Sequence, residues 1–128
     1  AYTAIDHIAK GPEVLLPEGL SFTDHAGHVR RQARIRWWLP DSRYLHEIAI
    51  TDGNEAPDLI GLPIPSTVEI PPVEGPPIFV GHYWLSGTPA ILSPNVACLD
   101  YSAAGGGPLV GYRWEGETLL TNAGFVTS

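Results

Sequence analysis

The chain has 128 residues, 44% of them hydrophobic, and a formal net charge of -7. That length accommodates one globular domain that buries roughly two thirds of its unfolded surface, with no room for a second full domain. An acidic chain argues against a nucleic-acid partner, whose phosphates select basic faces, and no stretch approaches the ~18 to 20 unbroken apolar residues needed to cross a bilayer, so no membrane partner is expected either.

The first ten residues, AYTAIDHIAK, lack the basic-then-apolar order of a signal peptide. A single cysteine, Cys98, sits among Val96, Ala97 and Leu99. It cannot form an internal disulfide and reads as an inert core thiol, which points to a reducing compartment and a cytoplasmic location. Gly (14) and Pro (13) make up about a fifth of the chain, against about 12% in average proteins, so turns and loops are expected. The sequence starts at Ala1 and has no Met, which fits initiator removal, a recombinant boundary or a piece cut from a longer protein.

In chain order, Ala4, Ile5, Ile8 and Ala9 fall at helical spacing and Gly11-Pro12 stops the pattern, predicting the end of a helix over residues 1–10. A short apolar piece, Glu13 to Leu16, leads to a turn at Pro17-Glu18-Gly19. From Val29 to Trp37, apolar Val29, Ala33, Ile35 and Trp37 alternate with Arg30, Gln32, Arg34 and Arg36. This predicts a half-buried strand paired with Leu20 to Thr23 through the turn Asp24-His25-Ala26-Gly27. Seven of the thirteen prolines lie between Pro57 and Pro77, so residues 57–77 are expected as an extended surface loop linking two halves. The second half offers Ile78 to His82, Asn95 to Tyr101 and Leu109 to Trp114, rich in β-branched and aromatic residues, and a weaker segment from Thr118 to Val126. Turn signals at Ser93-Pro94, Gly105 to Pro108 and Glu115-Gly116 complete the pattern of an antiparallel meander.

Among chemistry-bearing residues, His82 follows Gly81 at the end of an apolar strand, a rigid position from which an imidazole can be aimed as a metal ligand or acid-base group. The alternative is a hydrogen-bonded core histidine. Asp100 and Tyr101 close the next strand and would lie beside His82 if the two strands pair; otherwise they read as a turn-capping carboxylate and a half-buried phenol. Asp24, His25 and His28 form a compact cluster, but no second Cys or His group stands at zinc-site spacing, so a hairpin turn is the expected account. His7 and His46 have no distinctive surroundings. Arg30, Arg34 and Arg36 could grip phosphate from one strand face, or simply form a solvated face paired with carboxylates. The run Ala104 to Gly107 lacks the Lys-Ser/Thr of a phosphate-binding loop. There is no Gly-x-Ser-x-Gly elbow either.

The stretches PPIFVGHYWLSGTP and NVACLDYSAAGGGPLVGYRWEGE carry more than their spacing shows. They closely resemble the C-terminal part of bacterial calcineurin-like metallophosphoesterases, of the serine/threonine phosphatase and diadenosine tetraphosphatase-like type. KGPEVLLPEGLSFTDHAGHVRRQARIRWW is similar to the middle section of the same group. The likeness covers most of the chain, loosely over the proline-rich loop, and rests on GHYW, NVACLDYS and YRWEGE in combination.

The resemblance implies an α+β, mainly β chain whose antiparallel sheet forms part of a metallophosphoesterase-type β sandwich with few helices. It implies a hydrolase in which two divalent metal ions (Mn, Fe or Zn) lower the pKa of a bridging water, neutralise the phosphoryl oxygens and orient in-line displacement. His82 matches the metal-binding histidine of the family's late Gly-His motif, with Gly81 giving the backbone room. Trp84 stands where many relatives carry a second histidine. Asp100 and Tyr101 become catalytic candidates, behind the metal ligand or facing substrate.

The family's early motifs, an Asp-x-His, a Gly-Asp-x-x-Asp, a Gly-Asn-His and a further histidine, have no match; Gly53-Asn54-Glu55 imitates the third without its histidine. The resemblance therefore implies that residues 1–128 are a single domain or the C-terminal part of a larger phosphoesterase domain. Its partners would be a phosphate-ester substrate and the missing N-terminal half. Alone, the chain is expected to be inactive, to hold no ion of its own and to self-associate through uncovered strand faces. Phosphoserine proteins, dinucleoside polyphosphates and small phosphodiesters stay open as substrates. A non-catalytic β-rich binding or interaction module is the alternative.

Overall fold

A computed structural model of the protein describes residues 9–53, 56–70 and 73–128. The chain is mostly β, with few helices and several antiparallel sheets, and it divides into two compact units, one running to Pro71 and the other from Pro72 to Ser128.

In the first unit, Ala9 and Lys10 are helical; the rest of the expected N-terminal helix, including His7, lies outside the described residues. Gly11 ends the helix at φ 86°, a left-handed conformation that costs glycine nothing. Strand β1 (Glu13–Leu15) pairs antiparallel with β4 (Gln32–Ile35), which pairs antiparallel with β5 (Ala49–Ile50), giving the order β1-β4-β5. Separately, β2 (Phe22–Thr23) pairs with β3 (Val29–Arg30) in a small hairpin.

The alternating segment from Val29 to Trp37 is therefore not one strand. It breaks at Arg31, whose carbonyl accepts the Leu16 N–H at 2.8 Å, and the two parts join different sheets. Ala33, Ile35 and Trp37 are buried as their alternation requires, whereas Val29, beyond the break, is 69% exposed. Period-two patterning holds only while the ladder is continuous.

A one-turn helix, α1 (Leu45–Ile48), buries both of its apolar residues completely, three positions apart on one face. Glu47 Oε2 accepts the N–H groups of Arg43 and Tyr44 at 2.8 and 2.7 Å, satisfying donors at the helix start that have no intrahelical partner. Each such buried Leu or Ile stabilises the unit by roughly 1.5–3 kcal/mol. The proline-rich segment has no strand among its described residues, as its prolines dictate, but it is not purely a surface loop. A short 3-10 turn, Pro57–Leu59, carries Leu59 into the core, and Tyr44 bridges to Pro63.

In the second unit, β6 (Ile78–Val80), β7 (Ile91–Ser93) and β8 (Val96–Cys98) form a sheet in the order β6-β8-β7. All three residues of β8 are fully buried, as expected for a central strand covered on both faces. Strand β7 pairs antiparallel with β8 across Pro94-Asn95, but β6 pairs parallel with β8, Ile78 opposite Val96 and Val80 opposite Cys98. This corrects the antiparallel meander. The segment Ile91–Ser93 is itself a strand, and its presence reverses the chain once more before β8 arrives beside β6. Buried Asn95 ties the turn down. Its side-chain amide donates to the carbonyls of Val73 and Gly75, and its main-chain carbonyl accepts the Ile78 N–H at 2.8 Å.

Strands β9 (Val110–Tyr112) and β10 (Phe125–Thr127) form an antiparallel pair. The Tyr112 ring lies between Phe79 and Phe125, each with centroids 5.3 Å away. Gly124 seats the ring from a third side, where a Cβ would come within 2.2 Å of Tyr112 Cζ.

Candidate functional site

Because β6 and β8 run parallel in register, and Leu99 N–H donates to the Val80 carbonyl at 2.9 Å, the residues two beyond each strand leave the sheet at the same end. Those residues are His82 and Asp100. The juxtaposition depends on the parallel pairing; antiparallel neighbours would have sent the two segments to opposite ends of the sheet.

The two segments are tied together. The Asp100 carboxylate accepts the Trp84 N–H at 3.3 Å through Oδ2 and the Ser102 N–H at 3.0 Å through Oδ1, while the Asp100 carbonyl accepts the Leu85 N–H at 3.0 Å. Ser102 Oγ donates back to the Leu85 carbonyl at 3.1 Å. Beneath them, Cys98 Sγ accepts the Asp100 N–H at 3.4 Å and is fully buried, the inert core setting expected of it.

His82, Trp84 and Ser102 all adopt left-handed backbone, with φ of 66°, 55° and 62°. Non-glycine residues at positive φ are uncommon and costly, and clusters of them mark functional or tightly constrained sites. Between the first two, Tyr83 is only 4% exposed; it anchors the loop while its neighbours turn outward. His82 is exposed and Trp84 is 48% exposed, their rings edge to face at 6.2 Å. Gly81 is not itself left-handed, and no atom beyond its chain neighbours lies within 4 Å of where its Cβ would stand. The unusual backbone belongs to His82.

Tyr101 follows Asp100 into the interior. It is 4% exposed and its hydroxyl accepts the Ala90 N–H at 3.0 Å. The glycine run after it closes a tight turn, in which the Gly105 and Gly107 N–H groups both reach the Ser102 carbonyl, at 2.8 and 2.9 Å. A Cβ on Gly107 would stand 2.0 Å from the Tyr101 carbonyl oxygen.

The Asp24 cluster is a hairpin turn. Asp24 Oδ1 accepts the N–H groups of Ala26 and His28 at 3.0 and 2.8 Å, and Oδ2 accepts Arg30 Nε at 2.8 Å. The His28 N–H is the main cause holding the Asp24 pKa at about 2, against the opposing effect of burial, with Arg30 adding to the depression. His25 Nδ1 lies 3.2 Å from Asp52 Oδ2.

The arginines do not gather. Arg30 bonds Asp24, whereas Arg36 Nη1 donates to the Ala49 carbonyl at 2.9 Å just past α1, and burial lowers its pKa. His46 stacks on Tyr44 with centroids 5.8 Å apart and accepts the Gly61 N–H at 3.4 Å. It borders an open cleft of about 380 Å³ with Thr51, Leu59 and Ile60. A second open cleft, about 670 Å³, runs beside Tyr112, Arg113, Glu115 and Glu117.

Among the described residues, no group of three or more His, Cys, Asp or Glu side chains is arranged to hold a metal ion, and no helix is long and apolar enough to cross a membrane. Asn54 and Glu55 lie outside the described residues. No family model, curated protein or solved structure matches the chain.

Sequence patterning could propose His82, Asp100 and Tyr101 one by one. Ser102, Trp84 and Leu85 as partners of Asp100 were out of its reach, since nothing in a serine or a tryptophan announces positive φ.

Proposed function

We propose that this chain is the C-terminal part of a metal-dependent phosphoesterase of the β-sandwich class, hydrolysing phosphate esters, with His82 as one metal donor and most of the other donors outside these residues. The observation that supports the reading is the shared strand end. An exposed His82, held in a conformation that costs free energy, stands at the tip of a strand whose parallel neighbour delivers Asp100 to the same place.

The residues described here do not form a dinuclear centre by themselves, since one exposed imidazole and, at the same end of the sheet, one carboxylate already bonded to two backbone N–H groups are too small a donor set. Metal ions in the complete enzyme would supply an activated water and charge neutralisation at phosphate. This chain's contribution is to present the His82 imidazole and to shape the ground around it with Trp84. Tyr101, turned inward with its hydroxyl on Ala90, supports the site from below.

The test is reconstitution. Purified residues 1–128 are expected to show negligible manganese-dependent hydrolysis of p-nitrophenyl phosphate. Adding an N-terminal segment that carries the family's early ligand motifs is expected to restore hydrolysis, and His82→Ala to abolish it. Robust turnover by the chain alone, or restored turnover indifferent to His82→Ala, overturns the proposal.

A second reading, a β-rich module that binds a partner without catalysis, is favoured by the exposed Leu109, Trp114 and Leu119 of the second unit. It predicts concentration-dependent association in sedimentation, dye binding to apolar surface and no hydrolysis under any reconstitution.

A further inference from the structure

We infer that Asp100 is a positioning residue: it locks the His82–Trp84 loop into left-handed backbone and thereby aims the His82 and Trp84 rings together from the end of β6. The effect on hydrolysis rests on the phosphoesterase reading; the conformational role does not.

A left-handed histidine and a left-handed tryptophan flanking one buried tyrosine do not persist through local preference. Their surroundings must over-determine them. Asp100 meets that need on both sides of the Trp84 Cα, because its side chain takes the N–H of the peptide before it and its main chain takes the Leu85 N–H of the peptide after it. The other carboxylate oxygen takes the N–H of Ser102, the third left-handed residue, whose hydroxyl closes the circuit on the Leu85 carbonyl.

One side chain thus bridges both chain segments that leave the parallel strand pair. With Tyr83 fixed in the core, turning the Trp84 peptide also swings the His82 peptide on its other side. Asp100 therefore acts on His82 through Trp84 and Tyr83. This assigns Asp100 a different task from the proton transfer or substrate contact that its place beside His82 first suggests.

The experiment uses the full 128-residue chain, isotope-labelled, as wild type, Asp100→Asn and Asp100→Ala. Strong intraresidue HN–Hα cross-peaks report positive φ, and the imidazole resonances of His82 report its placement. Wild type is expected to show the positive-φ signature at His82, Trp84 and Ser102. Asp100→Ala is expected to lose it at Trp84 and Ser102 and to shift the His82 ring signals, while Leu45 and Ile48 in the other unit stay unchanged. Asp100→Asn, which keeps the shape and one acceptor oxygen, is expected to give a smaller shift in the same direction and decides the matter if Asp100→Ala fails to fold.

In a Trp84→Gly background the same Asp100 substitutions should move His82 less, since glycine adopts the left-handed conformation unaided. Wild-type signatures and ring shifts retained in both Asp100 variants, or a wild type without the signatures, overturn the inference. Reconstituted hydrolysis that ignores His82→Ala would instead overturn the phosphoesterase reading and leave this result standing.

Discussion

Asp24 in the first unit and Asp100 in the second both commit a carboxylate to backbone N–H groups, but they reach across different lengths of chain. Asp24 takes its two from Ala26 and His28 and adds Arg30, all within six residues. Asp100 takes one from Ser102, two residues on, and one from Trp84, sixteen residues back. The first closes a hairpin that its own sequence already favours. The second fastens two strands' worth of chain and holds residues in conformations they would otherwise leave. Similar bonds thus close a turn in one place and join two distant chain segments in the other.

The sharpest way to break the comparison is to disturb the turn behind Asp100. Gly107→Ala places a methyl against the Tyr101 carbonyl, 2.0 Å from the oxygen. It is expected to destabilise the second unit by about 3 kcal/mol in denaturant melts, with the first unit's transition unchanged. Next, Asp100→Ala leaves two N–H groups of a constrained loop without their acceptor and is expected to cost about 1–3 kcal/mol. Asp24→Ala, which unties only a hairpin whose partners all lie within six residues, should cost clearly less; equal losses would erase the distinction between the two carboxylates.

Acid titration sharpens it further. The Asp24 pKa lies near 2 in the folded chain against an ordinary 3.8, so its contribution is fully present above about pH 4 and is lost as pH falls toward 2. The stability gap between wild type and Asp24→Asn should therefore close over that window. A gap unchanged down to pH 2 would mean that the folded carboxyl is not held low. The smallest effect is a gain. His82→Gly relieves left-handed strain and is expected to stabilise the second unit by about 0.4–1 kcal/mol, while removing the proposed metal donor.

How much of this was legible beforehand follows the same division by reach. The stop at Gly11-Pro12, the Asp24 hairpin and the burial of Ala33, Ile35 and Trp37 were readable because each depends on neighbours within a few residues. Val29 was misplaced because the chain breaks at Arg31, whose carbonyl takes the N–H of Leu16 just past β1, and Val29 beyond it joins a different sheet. Leu59 was assigned to a surface loop because proline content reports poor ladder formation, not whether a turn tucks one apolar side chain inward. The parallel pairing of β6 with β8 was hidden behind the missed strand β7, whose three residues lie between Pro89 and Pro94 and offer little alternation to read. His82 and Asp100 were legible as residues. That they share an end of the sheet depended on that pairing.

The order β6-β8-β7 also bears on how the second unit assembles. Strands β7 and β8 meet across a two-residue turn and can zip early, whereas β6 must close a loop of more than a dozen residues before its parallel bonds form. Docking last and lying on the outside, β6 is expected to be the first strand of its sheet to fray, with amides that exchange ahead of those in β8. His82 therefore hangs just past the edge strand expected to open first, where a binding partner that clamps that edge would raise the order of the loop that carries it.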